Sequence, residues 1–401
     1  MPDIHPFRAY RYNLPSGKLP RAVCPPYDII GDEQARRLRA SPYNAVHVEL
    51  PEGENASRYK RARNVWDGWK KRGIVCRDLR PAFYVYEQAF RSEGKPHSRR
   101  GFFCELEVEE PGKGSVLAHE LTLSKPKEDR LNLVRALQVN SSPIFGLFQD
   151  KDGAVREALE EADGARPLAH FRDADRVTHR LWGLTDGKAV GLIRASLEKI
   201  PVLIADGHHR YETAWNYSRE DRSGPAKSAL FFLCPMEDPG LVIYPTHRIL
   251  KGAASLRDVA EKVARHGKIF NIQPVPVPKQ PPRPSQFVLT DGKKALAVRP
   301  ADPDSLEDKF PGKPDAYSGL SLAILHAIVL PDMQKEDFIY SHDLKETLRT
   351  AKSNKSVAVL LPPTTKEELY GIVRAGQIMP QKSTYFYPKV ITGLVFRSLE
   401  P

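Results

Sequence analysis

An acid, two imidazoles and a guanidinium follow one another in Asp206-Gly207-His208-His209-Arg210, directly after the apolar run Val202-Leu203-Ile204. The apolar run reads as a buried strand, and Tyr211-Glu212-Thr213-Ala214-Trp215 as the body of a helix. Gly207 stands where strand must turn into helix, and glycine tolerates the backbone angles of such a turn while letting a ligand approach closely. The first N–H groups of the helix have no intrahelical partners and carry the positive end of its dipole, which favours an anion. Arg210 offers a fork that matches two phosphate oxygens. His208 and His209 can donate hydrogen bonds or exchange protons near neutral pH. Asp206 is an acceptor, so it suits a hydroxyl, a metal ion or a histidine better than a phosphate. Each residue alone has a plain structural role as helix cap, surface imidazole or ion-pair partner. Four polar groups on one turn at the carboxyl end of a strand instead predict a phosphate cradle with an acid beside it. Zinc is disfavoured, because adjacent histidines seldom reach one ion and the turn has no HxxxH spacing.

Three further clusters carry chemistry. In "LAHELTLSKPKEDRLNL" (117–133), His119 and Glu120 leave a strand, and Lys127, Glu128, Asp129 and Arg130 open a helix. Glu128 and Asp129 suit a helix N-terminus electrostatically. Lys127 and Arg130 are candidates for anion contact, and Glu120 for a general base if it is held near a hydroxyl. "PTHRIL" (245–250) presents Thr246, His247 and Arg248, and "PQKSTYFYPK" (380–389) presents Lys382, Ser383, Thr384 and Lys389. These suit a small substrate or an anion, and equally a well-ordered loop. The four cysteines, Cys24, Cys76, Cys104 and Cys234, form no CxxC pair and so neither a disulfide framework nor a zinc ribbon. Cys76, Cys104 and Cys234 have apolar neighbours and are expected to be buried thiols.

The elements that must position these residues alternate in type. Asp32 opens a helix over 31–41, and Tyr59, Ala62, Val65, Trp66 and Trp69 give a second one over 56–72, its aromatic stripe read as core. "AFYVYEQAF", "GFFCELEV" and "SVLAHELTL" read as three strands, 127–138 as a helix and 142–150 as a strand. Helices at 153–163 and 189–199 flank a strand at 177–184, and 226–237 is a further apolar strand. Residues 273–285 hold six prolines in thirteen residues, a stiff extended connector. Beyond it come strands near 286–290 and 295–299, helices at 319–330, 344–352 and 366–374, and a strand at 356–362. The pattern predicts an α/β (α+β) architecture. Its expected parts are an N-terminal helical and loop segment (1–80), a core (81–272), a connector (273–284) and a C-terminal α+β subdomain (285–401).

Bulk properties narrow the function. A chain of 401 residues with 41% hydrophobic and 28% charged content is ordinary for a globular protein of two or three subdomains. No run of 18 apolar residues marks a membrane span, and the start, Met1-Pro2-Asp3-Ile4-His5-Pro6, lacks a signal-peptide pattern, so a cytoplasmic location is expected. The net charge of +11 suits an anionic partner, but the basic residues are scattered and no nucleic-acid module is present.

"FRAYR", "CPPYDII", "HELT", "KEDR", "IADGHHRYETA", "PTHR" and "MPQKSTYFYPKVITGLVF" occur in that order over about residues 4 to 396. Together they resemble the DUF1015 family of unsettled function. "ADGHHRYETA" is also similar to the second nucleotide-binding box of the ParB/sulfiredoxin-like superfamily, nearest to the Asp-Gly-His-His-Arg type turn of its free serine kinases. The resemblance implies a mixed-sheet ParB/sulfiredoxin-like core carrying N-terminal and C-terminal additions. It implies that the turn holds nucleotide phosphates, that 116–133 is the first box, and that Glu120 serves the substrate hydroxyl. It departs from sulfiredoxins, whose turn carries a cysteine where His208 stands. It departs from ParB clamps, whose box is followed by a helix-turn-helix; here a strand and "GLVIYPTHR" follow.

The leading expectation is a nucleotide-dependent phosphotransferase acting on a small hydroxyl metabolite, serine among the candidates. ATP or ADP and Mg²⁺ are the expected cofactors. Gly207, His208 and Arg210, with His119, Lys127 and Arg130, would bind the nucleotide. Asp206 would hold the metal or orient the hydroxyl, and Glu120, Asp206 and His209 would form the catalytic set. Thr246, His247, Arg248, Lys382, Ser383 and Thr384 would meet substrate or anion. The chain has no GxxxxGK[ST] run, so it is not a P-loop enzyme. The alternatives are a non-catalytic nucleotide-binding regulator and a metal-dependent hydrolase using His119, His208, His209 and Asp206.

Overall fold

The computed structural model describes residues 2–400 apart from 54–55, 121–123, 253–254 and 303, and also leaves out the side chains of 124–127 and 304–305. Packing divides the chain into two units. The first comprises Met1–Ala118, Thr122–Val242 and Pro388–Pro401; the second comprises His119–Leu121 and Ile243–Tyr387.

The first unit is built on a nine-stranded mixed sheet. Its strands are β1 (Ile4–His5), β2 (Phe83–Ser92), β3 (Lys95–Glu107), β4 (Val116–Leu117), β5 (Ile144–Phe148), β6 (Ala169–Arg172), β7 (Thr178–Leu184), β8 (Val202–Asp206) and β9 (Ser228–Pro235). The order is β4-β8-β5-β9-β3-β2-β7-β6, with β1 pairing β3. β8 runs parallel to β4 and antiparallel to β5, and β9 runs parallel to β5. β2 and β3 form a hairpin in which Ser92 faces Lys95 across Glu93 and Gly94, both at positive φ, the two-residue turn whose twist matches a hairpin. Alternation then sorts the side chains. Phe102, Cys104 and Leu106 join Phe83, Phe231 and Ile204 in one core, whereas Phe103 turns to the opposite face against Tyr86 and Phe232. Burying each such Phe, Leu or Ile contributes roughly 1.5–3 kcal/mol.

Helices cover this sheet because their apolar stripes match it. Of α1 (Ser57–Lys71), α2 (Ser124–Leu137), α3 (Ala154–Glu160), α4 (Gly187–Leu197) and α5 (His208–Glu220), the last three bury Val155, Leu159, Ile193, Leu197 and Tyr211 in the same core. Asp186 caps α4 through the Ala189 N–H. The aromatic stripe of α1 is core: Trp66 and Trp69 are fully buried, and Trp66 packs 5.0 Å from Phe396 of the C-terminal segment. That segment is sewn into the unit. Phe396 bridges Tyr10, Thr392 bridges Cys24, and Arg397–Ser398 pairs with Val139–Asn140. Gly393, at φ 94°, lies so close to Ala45 that a side-chain carbon there would sit 2.7 Å from the alanine methyl. This docking brings Lys389 and Thr392 into the first unit. Cys24, Cys104 and Cys234 are buried and Cys76 is exposed, so the expectation fails at Cys76, which points to the opposite face from its buried strand neighbour Val75.

The second unit carries a six-stranded antiparallel sheet made of β10 (His247–Leu250), β11 (Phe270–Val275), β12 (Phe287–Thr290), β13 (Ala295–Pro300), β14 (Phe338–Ser341) and β15 (Ala358–Leu360). Its order is β11-β13-β12-β15-β10-β14. Helices α6 (Leu256–Ala264), α7 (Leu344–Asn354) and α8 (Lys366–Arg374) belong to it, and Ser255 and Thr365 open α6 and α8 with complete capping boxes. The proline-rich stretch lies within this unit, and its first residues continue β11. Pro274 is accommodated there because β11 is an edge strand, where a missing N–H costs little. The helix expected over 319–330 is present over 321–329, as the α-turn Ser321–Ile324 running directly into the π-helical turn Leu325–Val329.

Candidate functional site

In the first unit β8 ends at Asp206, and Gly207, at φ 94°, caps α5 in the left-handed region. Asp206 is the centre of the turn. Its Oδ2 accepts from Arg210 Nη2 at 2.7 Å, and its Oδ1 accepts from Lys389 Nζ at 3.0 Å. The three side chains are only 10–18% exposed, so both ion pairs are shielded from water. Arg210 is anchored further inward. Its Nη1 donates to Ser142 Oγ at 3.0 Å and to the carbonyl of Pro143, and Thr392 Oγ1 donates in turn to Ser142 Oγ at 2.9 Å. Desolvation lowers the pKa of this guanidinium, but the charges of Asp206, Asp28 and Glu49 outweigh it and hold it above the ordinary arginine value. Arg210 also folds back over Gly207, where a side-chain carbon would sit 3.0 Å from its guanidinium. The glycine is thus required twice, by its backbone angle and by Arg210. His208 is buried, His209 is half-buried, and the His209 carbonyl accepts from Thr213 Oγ1 at 2.7 Å.

Arg130 is buried in the same unit and is likewise committed to protein partners. Nε and Nη2 donate to Asp129 Oδ2 at 2.9 and 2.5 Å, and Nη1 to the Glu49 carbonyl at 2.6 Å. Its guanidinium lies 4.2 Å from the centre of the Tyr27 ring. Burial pushes the Tyr27 hydroxyl up to about 12, with Arg130 working against the rise. A cavity of about 50 Å³ is lined by Glu49, Arg130, Ser141, Ser142, Arg210 and Thr213, among others. That volume suits a few water-sized groups and is too small for a nucleotide. Lys127 lies in α2, and its side chain is outside the described residues.

In the second unit three of the sequence clusters meet. Glu120 Oε1 accepts the Ser383 N–H at 3.0 Å, and His119 Nε2 bonds Thr384 Oγ1 at 3.0 Å and lies 3.7 Å from Glu120 Oε1. The His119 carbonyl accepts the Met379 N–H. Arg248 donates to the carbonyls of Thr246, Gln381 and Lys382, the last from a residue at φ 57°. Thr364 Oγ1 donates to the Ser383 carbonyl. His247 is fully buried: its Nδ1 accepts the Leu361 N–H at 3.1 Å, and its Nε2 has no partner among the described residues. Burial first, and then the charge of Arg248, push this imidazole down to about 4, so it is neutral at physiological pH. Among the described residues, no group of three or more His, Cys, Asp or Glu side chains is placed to hold a metal ion.

Residues 4–320 match the family described as "Protein of unknown function (DUF1015)". The chain belongs to that family. No curated protein matches it. Among solved structures, a free serine kinase variant in complex with AMP aligns at a TM-score of 0.40 with 16% identity, over 73% of this chain and 92% of its own. A conserved hypothetical protein from Pyrococcus furiosus gives 0.38 and 16%, over 75% and 96%. SbnI with a C-terminal truncation, from Staphylococcus aureus, gives 0.38 and 10%, over 71% and 85%. No described helix of this DUF1015 chain is long and apolar enough to cross a membrane.

Several residues around the turn escape sequence reasoning. Ser142 and Thr392 are ordinary hydroxyls in apolar stretches, and nothing local marks them as supports for Arg210. Tyr27, Asp28 and Glu49 surround Arg210 and Arg130 electrostatically. The only sequence signal for Tyr27 and Asp28 is "CPPYDII", whose two prolines advertise a fixed turn without saying what it faces, and Glu49 has none.

Proposed function

We propose that this chain is a nucleotide-dependent phosphotransferase acting on a small hydroxyl-bearing metabolite. The observation that carries the reading is the Asp206 carboxylate, with a cation on each oxygen, at a strand-to-helix turn where Gly207 takes the left-handed conformation. Phosphoryl transfer asks mainly for positioning and charge stabilisation. The N-terminal N–H groups of α5 and the ammonium of Lys389 would take the phosphates. Arg210, anchored on Ser142 and Pro143, acts as a positioning residue that fixes Asp206. Mg²⁺ commonly binds through one or two carboxylates together with substrate phosphates, a pattern that Asp206 fits. Mg²⁺ would neutralise phosphate charge there, and an ion at Asp206 would have to compete with Arg210 or Lys389. The likeness of the turn to that of free serine kinases supports the reading.

Thermal unfolding with ATP or ADP, each with Mg²⁺, tests it. A nucleotide that binds only the folded chain raises the melting temperature with concentration. Lys389→Met should weaken that nucleotide by roughly tenfold or more, the worth of a charge-assisted hydrogen bond. No shift with either nucleotide would end the proposal. Tight binding without turnover for any hydroxyl acceptor would assign the chain to regulation instead.

A further inference from the structure

A buried arginine grips the backbone of the residue that supplies the second cation to Asp206. Arg99 is fully buried and stands directly opposite Gln88 across the β2–β3 hairpin. Alternation puts both on the aromatic face of the sheet, with Tyr86 and Phe103 and away from the core that holds Phe102 and Cys104. The guanidinium lies 4.8 Å from the centre of the Phe145 ring and 5.9 Å from that of Phe232. Its Nη2 donates to Gln88 Oε1 and, at 2.5 Å, to the carbonyl of Pro388. Gln88 is buried too, and its Nε2 donates to the Lys389 carbonyl at 3.0 Å. A guanidinium only donates and a carbonyl only accepts, so this chain of bonds fits one orientation of the Gln88 amide.

Such a charge is costly to bury. Among the described residues no carboxylate forms an ion pair with Arg99, and its Nε and Nη1 have no partner. Burial lowers its pKa below the ordinary arginine value, with the charges of Asp238 and Asp206 among those opposing the fall. A well-packed apolar side chain at such a position is often as stabilising as the charge, or more so. Packing alone therefore does not account for Arg99, whereas its reach to two consecutive carbonyls, directly and through Gln88, does. Those carbonyls belong to Pro388 and Lys389, and Lys389 places its ammonium 3.0 Å from Asp206 Oδ1. Phe145, against which the guanidinium packs, is the cross-strand partner of Asp206, so the clamp and the turn share one stretch of sheet.

We propose that Arg99 and Gln88 are positioning residues of the candidate site: they clamp the backbone of Pro388 and Lys389 and so hold the Lys389 ammonium on Asp206. Loss of the clamp frees the ammonium without removing it. What the ammonium does for a phosphate rests on the phosphotransferase reading; its placement by the clamp does not. All of these residues belong to the first unit.

The test reads Lys389 itself in the full-length chain. Trace acetylation with acetic anhydride, followed by peptide mass spectrometry, gives the reactivity of Lys389 relative to that of the exposed Lys71. In the parent, pairing with Asp206 keeps the amine protonated and slow to react. Arg99→Met removes the fork and should raise the rate at Lys389 roughly tenfold or more, the contribution of one charge-assisted hydrogen bond, with Lys71 unchanged. Removing an unpaired buried charge should leave the melting temperature at or above that of the parent. Gln88→Glu keeps an acceptor for Arg99 but loses the donor to Lys389, so it should also raise the rate, and it carries the test if Arg99→Met does not fold. Parental reactivity of Lys389 in either folded variant overturns the clamp, and so does a rise shared equally by lysines throughout the first unit. The assay contains no nucleotide, so the two readings fail separately: a wrong phosphotransferase reading shows as no thermal shift with ATP or ADP while Lys389 still responds to Arg99→Met.

Discussion

Replacing Asp206 by Asn would remove the negative charge from between Arg210 and Lys389 without changing its shape. The asparagine carbonyl can still accept from one cation, but its amide then presents N–H donors to the other. A hydrogen bond to a charged group contributes about 1.5–3 kcal/mol, and stranding one partner of a buried ion pair costs about 3–5 kcal/mol. With the three side chains 10–18% exposed, water relieves part of this, and a loss of roughly 3 kcal/mol is expected. For a body the size of the first unit this lowers the melting temperature by about 6–12 °C. Scanning calorimetry measures it, and a double-mutant cycle isolates the cause. Lys389→Met should cost less in the Asp206→Asn background than alone, because the ammonium it removes is already stranded. A fall below about 2 °C for Asp206→Asn, or strict additivity in the cycle, would refute the role of Asp206 as the organiser of the turn.

Gly393→Ala should loosen the C-terminal segment, because φ 94° costs a side chain about 1–2 kcal/mol and the added methyl meets Ala45 at 2.7 Å. The expected readout is faster proteolysis after residue 388 together with loss of any nucleotide-induced shift, since Lys389 sits on that segment; parental proteolysis would contradict it. Acid should weaken the second unit. His247 and His326 are both pushed down to about 4 by burial and then by Arg248, against about 6.5 in an unfolded chain. Between those values the unfolded state takes up protons that the folded state refuses. Stability is therefore full above about pH 6.5 and falls as pH drops towards 4, by up to about 3 kcal/mol per histidine. Melting curves from pH 7 to 4 check this, and His326→Leu should remove about half of the slope; a flat profile would refute the burial argument.

Much of the fold is legible because its elements declare themselves locally. The helix over Lys366–Arg374 is bounded by a Thr-x-x-Glu box, and the long hairpin by Glu93-Gly94, so periodicity and turn chemistry agree. The failures have physical causes. The proline-rich stretch looks like a domain break by composition, yet an edge strand tolerates Pro274, so a weak local signal was overruled by pairing with β13. Leu325–Val329 has an apolar helical pattern but packs as a π-turn, which no spacing rule distinguishes.

At the site, local sequence determined the turn. An apolar strand, Asp206, a glycine able to adopt φ 94° and a helix opening at His208 follow from adjacent residues, and so does the anion-favouring end of α5. Which groups complete the turn was decided by tertiary structure. Arg210, predicted to face a phosphate, is held by Ser142 and Pro143 from 67–68 residues earlier, and Asp206 is met by Lys389 from 183 residues later. In the second unit Glu120 meets Ser383 across 263 residues. Periodicity and propensity act over a few residues, whereas pairing two charges away from water needs the chain to be folded around them first. The sequence could therefore specify where the strand-to-helix turn stands, and only the packed protein could specify which distant side chains neutralise Asp206.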